Sequence, residues 1–288
     1  MAPALGIVFA IIALVSWGVG DFLNQRSARL VGSGKALLII GMFSSIVLFP
    51  FIYKEFALLS LEDFALLCLL SIVVILGTAF DFEALRRGKM AVIEPIIGLE
   101  LPLTVGISVL LIREQISLLQ LFLTVTIFIG IMFVVTKKFS TTFSRKLFEK
   151  GSLLAICAAL GTALTTVLIG VSSQQISPLM AVWFGHTALA IVSASVLFAR
   201  NKHISFYKDF LKHPFTIGGQ GILDSSAWIA FALATTLIPI SISAAISGGY
   251  VVLAVLLGVV LSKEKLTRHQ LIGVSVVLVS TIILTLIS

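Results

Sequence analysis

The chain has 288 residues, of which 59% are hydrophobic and only 11% charged, and its mean hydropathy is +1.16. No water-soluble fold of this size hides so much apolar surface, which excludes a soluble enzyme, a nucleic-acid binder and a secreted disulfide scaffold. The net charge of +7 is carried in short loops between apolar runs, where it reports membrane orientation and not nucleic-acid binding.

A hydrocarbon core about 30 Å thick needs about 20 helical residues at 1.5 Å each. Backbone polar groups in lipid must be satisfied within the segment, so the apolar runs read as helices. The expected fold class is all-α, a polytopic membrane protein with ten transmembrane helices. The first run, 4–23, contains Trp17 and closes on Ser16–Phe22 (SWGVGDF), with Asp21 anchored near Arg26. The second is 36–53. The third, 63–84, has Asp81 and Glu83 towards its end. Glu83 has Arg86 and Arg87 at i+3 and i+4, the spacing of a local ion pair; Asp81 has no such neighbour and is an inner-gate candidate.

The fourth run, 91–112, begins with Glu94 before Pro95. The proline ring disfavours helix in the residue before it, so Glu94 is a second inner-gate candidate. Glu100 lies about 14 Å into this helix, close to the midplane. The fifth run is 117–136. After a basic stretch at 137–150 come the sixth run, 151–171, and the seventh, 178–199, with Trp183 and a half-way His186. The eighth, 214–235, carries Asp224 ten residues in and then Trp228. The ninth, 238–261, has Tyr250 at its middle, and the tenth is 269–287. Cys68 and Cys157 lie inside apolar runs at no metal or redox spacing and read as packing residues. No cation precedes the first run, so a cleavable signal is not expected.

The loops divide sharply by charge. Those after the odd-numbered helices hold eighteen of the twenty Lys and Arg residues, and the opposite side holds Lys54 and Arg113. The positive-inside rule makes the odd loops cytoplasmic and both termini extracytoplasmic.

The chain also repeats. Residues 113–121 (REQISLLQL) align with 263–271 (KEKLTRHQL), 150 residues on. Each copy ends one span with a basic residue and a glutamate, Glu114 or Glu264, and supplies a Ser or Thr that caps the next helix. The division is 1–136, a linker at 137–150, and 151–288. Five spans per half is odd, so the second half enters the membrane inverted. Inverted halves can exchange conformations around one midplane site, which points to a transporter working by alternating access.

Ten helices in two fives, the glutamate hairpin before the last helix of each half, and the SWGVGDF stretch resemble the drug/metabolite transporter superfamily, and within it the EamA-type permeases, over the whole chain. The resemblance implies that helices 1–4 and 6–9 line a central cavity. It leaves helices 5 and 10 peripheral, where a homodimer would form. Pro95 and Pro102 depart from strict symmetry, because the matching places in helix 9 are Ala245 and Val252.

An ionisable residue in hydrocarbon costs about 2.5–3.5 kcal/mol on insertion scales and marks a cavity or a partner. The substrate or coupling candidates are therefore Glu100, Asp224, His186 and Tyr250. Trp17, Trp183 and Trp228 join them because they lie inside spans, away from the interfaces where Trp is enriched. Glu100 and Tyr250 occupy equivalent positions, each 14 residues before its hairpin glutamate. Each candidate also has a structural reading: neutral acids bonded near Pro102 or to Ser225 and Ser226, a histidine bridging helices, a packed tyrosine. Glu114 and Glu264 read as hairpin-fixing residues.

Gly18-Val19-Gly20-Asp21 matches the GxGD string of intramembrane aspartyl proteases. That chemistry needs a second aspartate sharing one proton, and Phe80-Asp81, the other candidate pair, follows the string where those enzymes carry theirs before it. His186 with Asp224 as a transferase base has no nucleotide-phosphate loop beside it. A channel would want an acidic ring or carbonyl filter. No catalytic residue, metal or cofactor is expected. The expected cargo is a small metabolite or amphipathic drug, an amino acid or amine before a nucleoside, nucleobase or sugar, with protons as the coupling ion and the plasma membrane as the location.

Overall fold

A computed structural model describes residues 2–87, 96–135, 151–200, 209–253, 256–257 and 267–287. Among the described residues the structure is all-helical. The α-helices are α1 (Ala2–Val31), α2 (Ser33–Ile52), α3 (Leu61–Arg87), α4 (Glu100–Leu110), α5 (Leu118–Val135), α6 (Ser152–Gln175), α7 (Pro178–Ala199), α8 (Pro214–Thr235), α9 (Ile240–Ser247) and α10 (Arg268–Ile287). A 3-10 turn, Glu55–Leu58, follows α2. Each expected span is overlapped by one of these helices.

Six of them, α1, α2, α3, α6, α7 and α10, are long and apolar enough to cross a membrane. The outward faces carry large apolar side chains such as Ile46, Phe51, Phe122, Ile191 and Ile282, all more than half exposed. α8 is as long but polar through its middle, at Gln220, Asp224, Ser225 and Ser226. α1 runs past its expected end at 23 to Val31, and α3 past its expected end at 84 to Arg87. Nothing in those segments breaks a helix until Gly32, whose φ of 87° ends α1 and starts α2.

Helix starts follow the local sequence. Ser60 and Asp63 cap α3 reciprocally. Ser117 and Gln120 do the same for α5, at 2.9 and 3.2 Å, and Gln270 accepts from the Thr267 amide at 3.0 Å at the start of α10. The repeated Ser/Thr-x-x-Gln thus holds a helix start in both halves, as a full capping box at α5 and through the Gln270 arm at α10. Ser177 caps α7, with Pro178 in the first turn.

The four most extensive packings are α1 on α8, α3 on α6, α2 on α7 and α5 on α10, and each joins one half of the chain to the other. Exchanging the halves turns α1–α8 into α6–α3 and maps the other two onto themselves. The packing is therefore symmetric under the repeat. Lipid gives no hydrophobic drive between helices, so close backbone approach matters. A Cβ on Gly161 would lie 2.6 Å from the Gly77 Cα where α6 crosses α3. One on Gly273 would lie 2.7 Å from the Gly130 carbonyl where α10 crosses α5.

The ends of the bundle are identified by contacts. At one end the Glu114 hairpin meets the start of α9, and Gly6 of α1 packs on Leu237 and Ile238. At the other, Lys35 at the start of α2 pairs with Asp209 in the segment before α8, and the Glu83–Arg87 pair forms on α3.

Candidate functional site

Two helices tighten at matching places, with the backbone still right-handed helical at Leu99 and Gly248. Helical backbone at Ile96–Ile97 gives way to a turn at Gly98–Leu99 before α4 begins with Glu100. In the other half α9 ends at Ser247, turns at Gly248–Gly249, and helix resumes at Tyr250. The Leu99 amide bonds back three residues to the Ile96 carbonyl at 3.1 Å, and the Gly249 amide to the Ile246 carbonyl at 3.2 Å. These are the same bond, 150 residues apart. Glycine at 98 and 248 offers no side chain to fill the space beside each turn.

Both turns open onto one narrow cavity with about 610 Å³ of atom-free space, counting its open mouth. Glu100, Thr104, Thr166, Ser247 and Tyr250 supply its polar lining, and Trp17 and Phe231 its aromatic walls. Glu100 Oε1 accepts a hydrogen bond from Thr166 Oγ1 at 3.2 Å. Trp17 stands edge-on to Trp228 with ring centroids 5.0 Å apart, and lies 5.8 Å from Phe231 and 6.1 Å from Tyr250. A carboxylate beside aromatic faces suits a cation, since ring quadrupoles attract positive charge.

Of the expected site residues, the cavity brings together Glu100, Tyr250 and Trp17. Trp228 packs behind Trp17. His186 and Asp224 lie outside the cavity lining. Ser44 Oγ stands 2.6 Å from His186 Nδ1 and 2.6 Å from Ser225 Oγ, so these three form a buried bridge between α2, α7 and α8. Asp224, 8% exposed, takes a hydrogen bond from the Asn24 side chain. Trp183 sits apart, donating to the Ser45 carbonyl at 3.0 Å and packing with Phe49, Phe56 and Phe184. Asp81 is half-buried on α3, away from the cavity lining. Glu94, Glu264, the linker and the side chain of Asp21 lie outside the described residues.

Glu114 does more than shape its own hairpin. Arg113 adopts a left-handed φ of 61°, and the Glu114 amide then bonds the Ser108 carbonyl at 3.0 Å, closing α4. The Glu114 carboxylate reaches the other half and accepts from the Ile240 amide and, at 3.0 Å, from the Ser241 amide. It caps α9, whose own preceding residue, Pro239, offers no side-chain acceptor. Sequence reading missed Thr104, Thr166, Phe231 and the Gly98 turn. The signal for Gly98 was available: Gly98-Leu99-Glu100 aligns with Gly248-Gly249-Tyr250 at the 150-residue spacing.

Comparison with known proteins agrees with this architecture. The model of the EamA-like transporter family matches residues 4–136 and 149–286. The chain is 24% identical to an uncharacterized protein of Methanocaldococcus jannaschii over 132 residues, which is 44% of this chain and 93% of that relative. That relative is therefore about as long as one of the two matched halves. A crystal structure at 15% identity has the same fold, with a TM-score of 0.71 over 98% of this chain and 96% of the other.

Proposed function

The chain belongs to the EamA-like transporter family, and on that premise we propose that it carries a small amino acid, amine or amphipathic drug across the plasma membrane by alternating access, with protons as the coupling ion. The reading rests on one observation above the others. Glu100 projects, just after the tightened Gly98–Leu99 turn, into a cavity walled by Trp17, Phe231 and Tyr250. A protonated amine would meet the carboxylate and rest its charge on the rings. A nucleoside, nucleobase or sugar would use the same walls but leave the carboxylate without a counter-charge.

Residues 1–136 and 151–288 act as the two exchanging halves, joined by the 137–150 linker, and both termini face outward as the 18-to-2 distribution of cations requires. The exposed apolar faces of α5 and α10 meet lipid or, in a homodimer, a second copy. Asp224, with its Asn24 partner, is the second carboxylate for coupling.

The test is a thermal-shift screen of purified protein against primary amines, amino acids, nucleosides and sugars. A ligand present at a hundred times its Kd stabilises the folded state by about 2.7 kcal/mol. Amines should shift the wild type and leave Glu100→Gln unmoved. A shift with nucleosides or sugars that survives Glu100→Gln would transfer the cavity to the neutral-cargo reading.

A further inference from the structure

Ten buried side-chain oxygens lack a hydrogen-bond partner among the described residues, and three of them are the hydroxyls of Thr104, Ser108 and Ser243. All three residues have no exposed surface. They are not scattered. Thr104 lines the cavity one turn beyond Glu100, and Ser108 is a further turn along α4. The Ser108 carbonyl holds the Glu114 amide, and the Glu114 carboxylate holds the Ser241 amide. Ser243 stands one turn from Ser247, which also lines the cavity. Thr104 and Ser108 on α4 and Ser243 on α9 therefore follow the seam between these two helices from the cavity to the Glu114 end of the bundle.

Buried hydroxyls are normally hydrogen-bonded, and leaving them dry is unfavourable. In transmembrane helices Ser and Thr usually bond back to a carbonyl one turn away, as Ser173 and Thr162 do here. A continuous set that does neither, leading out of the cavity, is what a closed water path leaves behind. We propose that the α4–α9 seam is the closed leg of the transport path, a hydroxyl track for hydrated, hydrogen-bonding cargo, latched by Glu114 on the first turn of α9. Opening the seam parts α4 from α9, gives each hydroxyl a water or cargo partner, and requires the Glu114 carboxylate to release the Ile240 and Ser241 amides. The latch joins the two halves, so it senses their relative movement. This inference rests on the transporter reading but not on the identity of the cargo.

The experiment is cysteine accessibility in a Cys68→Ala/Cys157→Ala background. Ser108→Cys and Ser243→Cys are introduced singly, and a membrane-impermeant cationic thiol reagent is applied from either side of the bilayer. Gln115→Cys, on the exposed hairpin, marks the Glu114 side, and lipid-facing Thr126→Cys is the unreactive control. Both seam cysteines should react slowly from the Gln115 side only. Adding Glu114→Gln weakens a charge-assisted cap and should raise the rate by about tenfold, while the Gln115→Cys rate stays the same. Seam cysteines as inert as Thr126→Cys, with and without Glu114→Gln, would overturn the proposal, and so would reaction from the opposite side alone. Retained Glu100-dependent stabilisation by amines in the same proteins checks folding. If that stabilisation persists while the seam stays inert, the track is refuted and the cargo site stands.

Discussion

Glu100 and Tyr250 face one cavity from opposite halves of the chain, each placed by the same tightened turn. Their equivalence is positional and not chemical: one half contributes a charge, the other an aromatic ring with a hydroxyl. A two-fold scaffold thereby builds an asymmetric site, as recognition of an asymmetric cargo requires.

The aromatic wall gives the first prediction. Replacing Trp17 with alanine removes an indole in contact with Trp228, Phe231 and Tyr250. A cation over a desolvated ring is worth about 1.4–2 kcal/mol, so amine affinity should fall about tenfold or more. Trp17→Phe should recover most of it. Titration of amine-induced thermal stabilisation measures both; equal affinity in Trp17→Ala would remove Trp17 from the site.

A second prediction concerns the buried Ser44–His186–Ser225 bridge. Hydrogen bonds between transmembrane helices average about 0.6 kcal/mol and reach about 1.7. A double-mutant cycle between Ser44→Ala and His186→Phe, read by unfolding in detergent, should give a coupling in that range. Strict additivity would show that the contact contributes nothing to stability.

The helix crossings separate two glycines of opposite consequence. Gly161→Ala drives a methyl group into the Gly77 backbone and should cost about 1–3 kcal/mol, as overpacking does. Gly106→Ala meets nothing within 4 Å and should stabilise by about 0.5–1 kcal/mol through helix propensity. Apparent melting temperatures should move in opposite directions. Unchanged stability of Gly161→Ala would show that the α3–α6 crossing is not what Gly161 is for.

The orientation is tested at the termini. Single cysteines added before Met1 and after Ser288 should both be labelled by an impermeant reagent outside intact cells. Labelling of both only after permeabilisation would reverse the topology and contradict the charge distribution.

Much of this was readable in the residues. The 113–121 and 263–271 match becomes two helix starts held by Ser/Thr–Gln bonds, and the Glu100–Tyr250 equivalence becomes one cavity, because both depend on spacing along a helix. Trp183 and Asp224 show where such reading stops. Depth in the membrane follows from counting residues, but the direction a side chain faces follows from which helix packs against it. Trp183 lies at a plausible depth and turns towards Phe49 and Phe56. Asp224 is turned towards Asn24 by the tight α1–α8 pairing. Glu114 was expected to fix its own hairpin, and its bond to α9 is a contact across 126 residues of sequence that no local pattern announces.

The most direct test of the account is exchange of a radiolabelled primary amine into proteoliposomes preloaded with the same amine, comparing wild type with Glu100→Gln. The account predicts saturable counterflow by the wild type and none above protein-free vesicles by Glu100→Gln, with both proteins equally folded and inserted. Undiminished counterflow by Glu100→Gln would contradict it, because the carboxylate that defines the site would then have no part in holding the cargo.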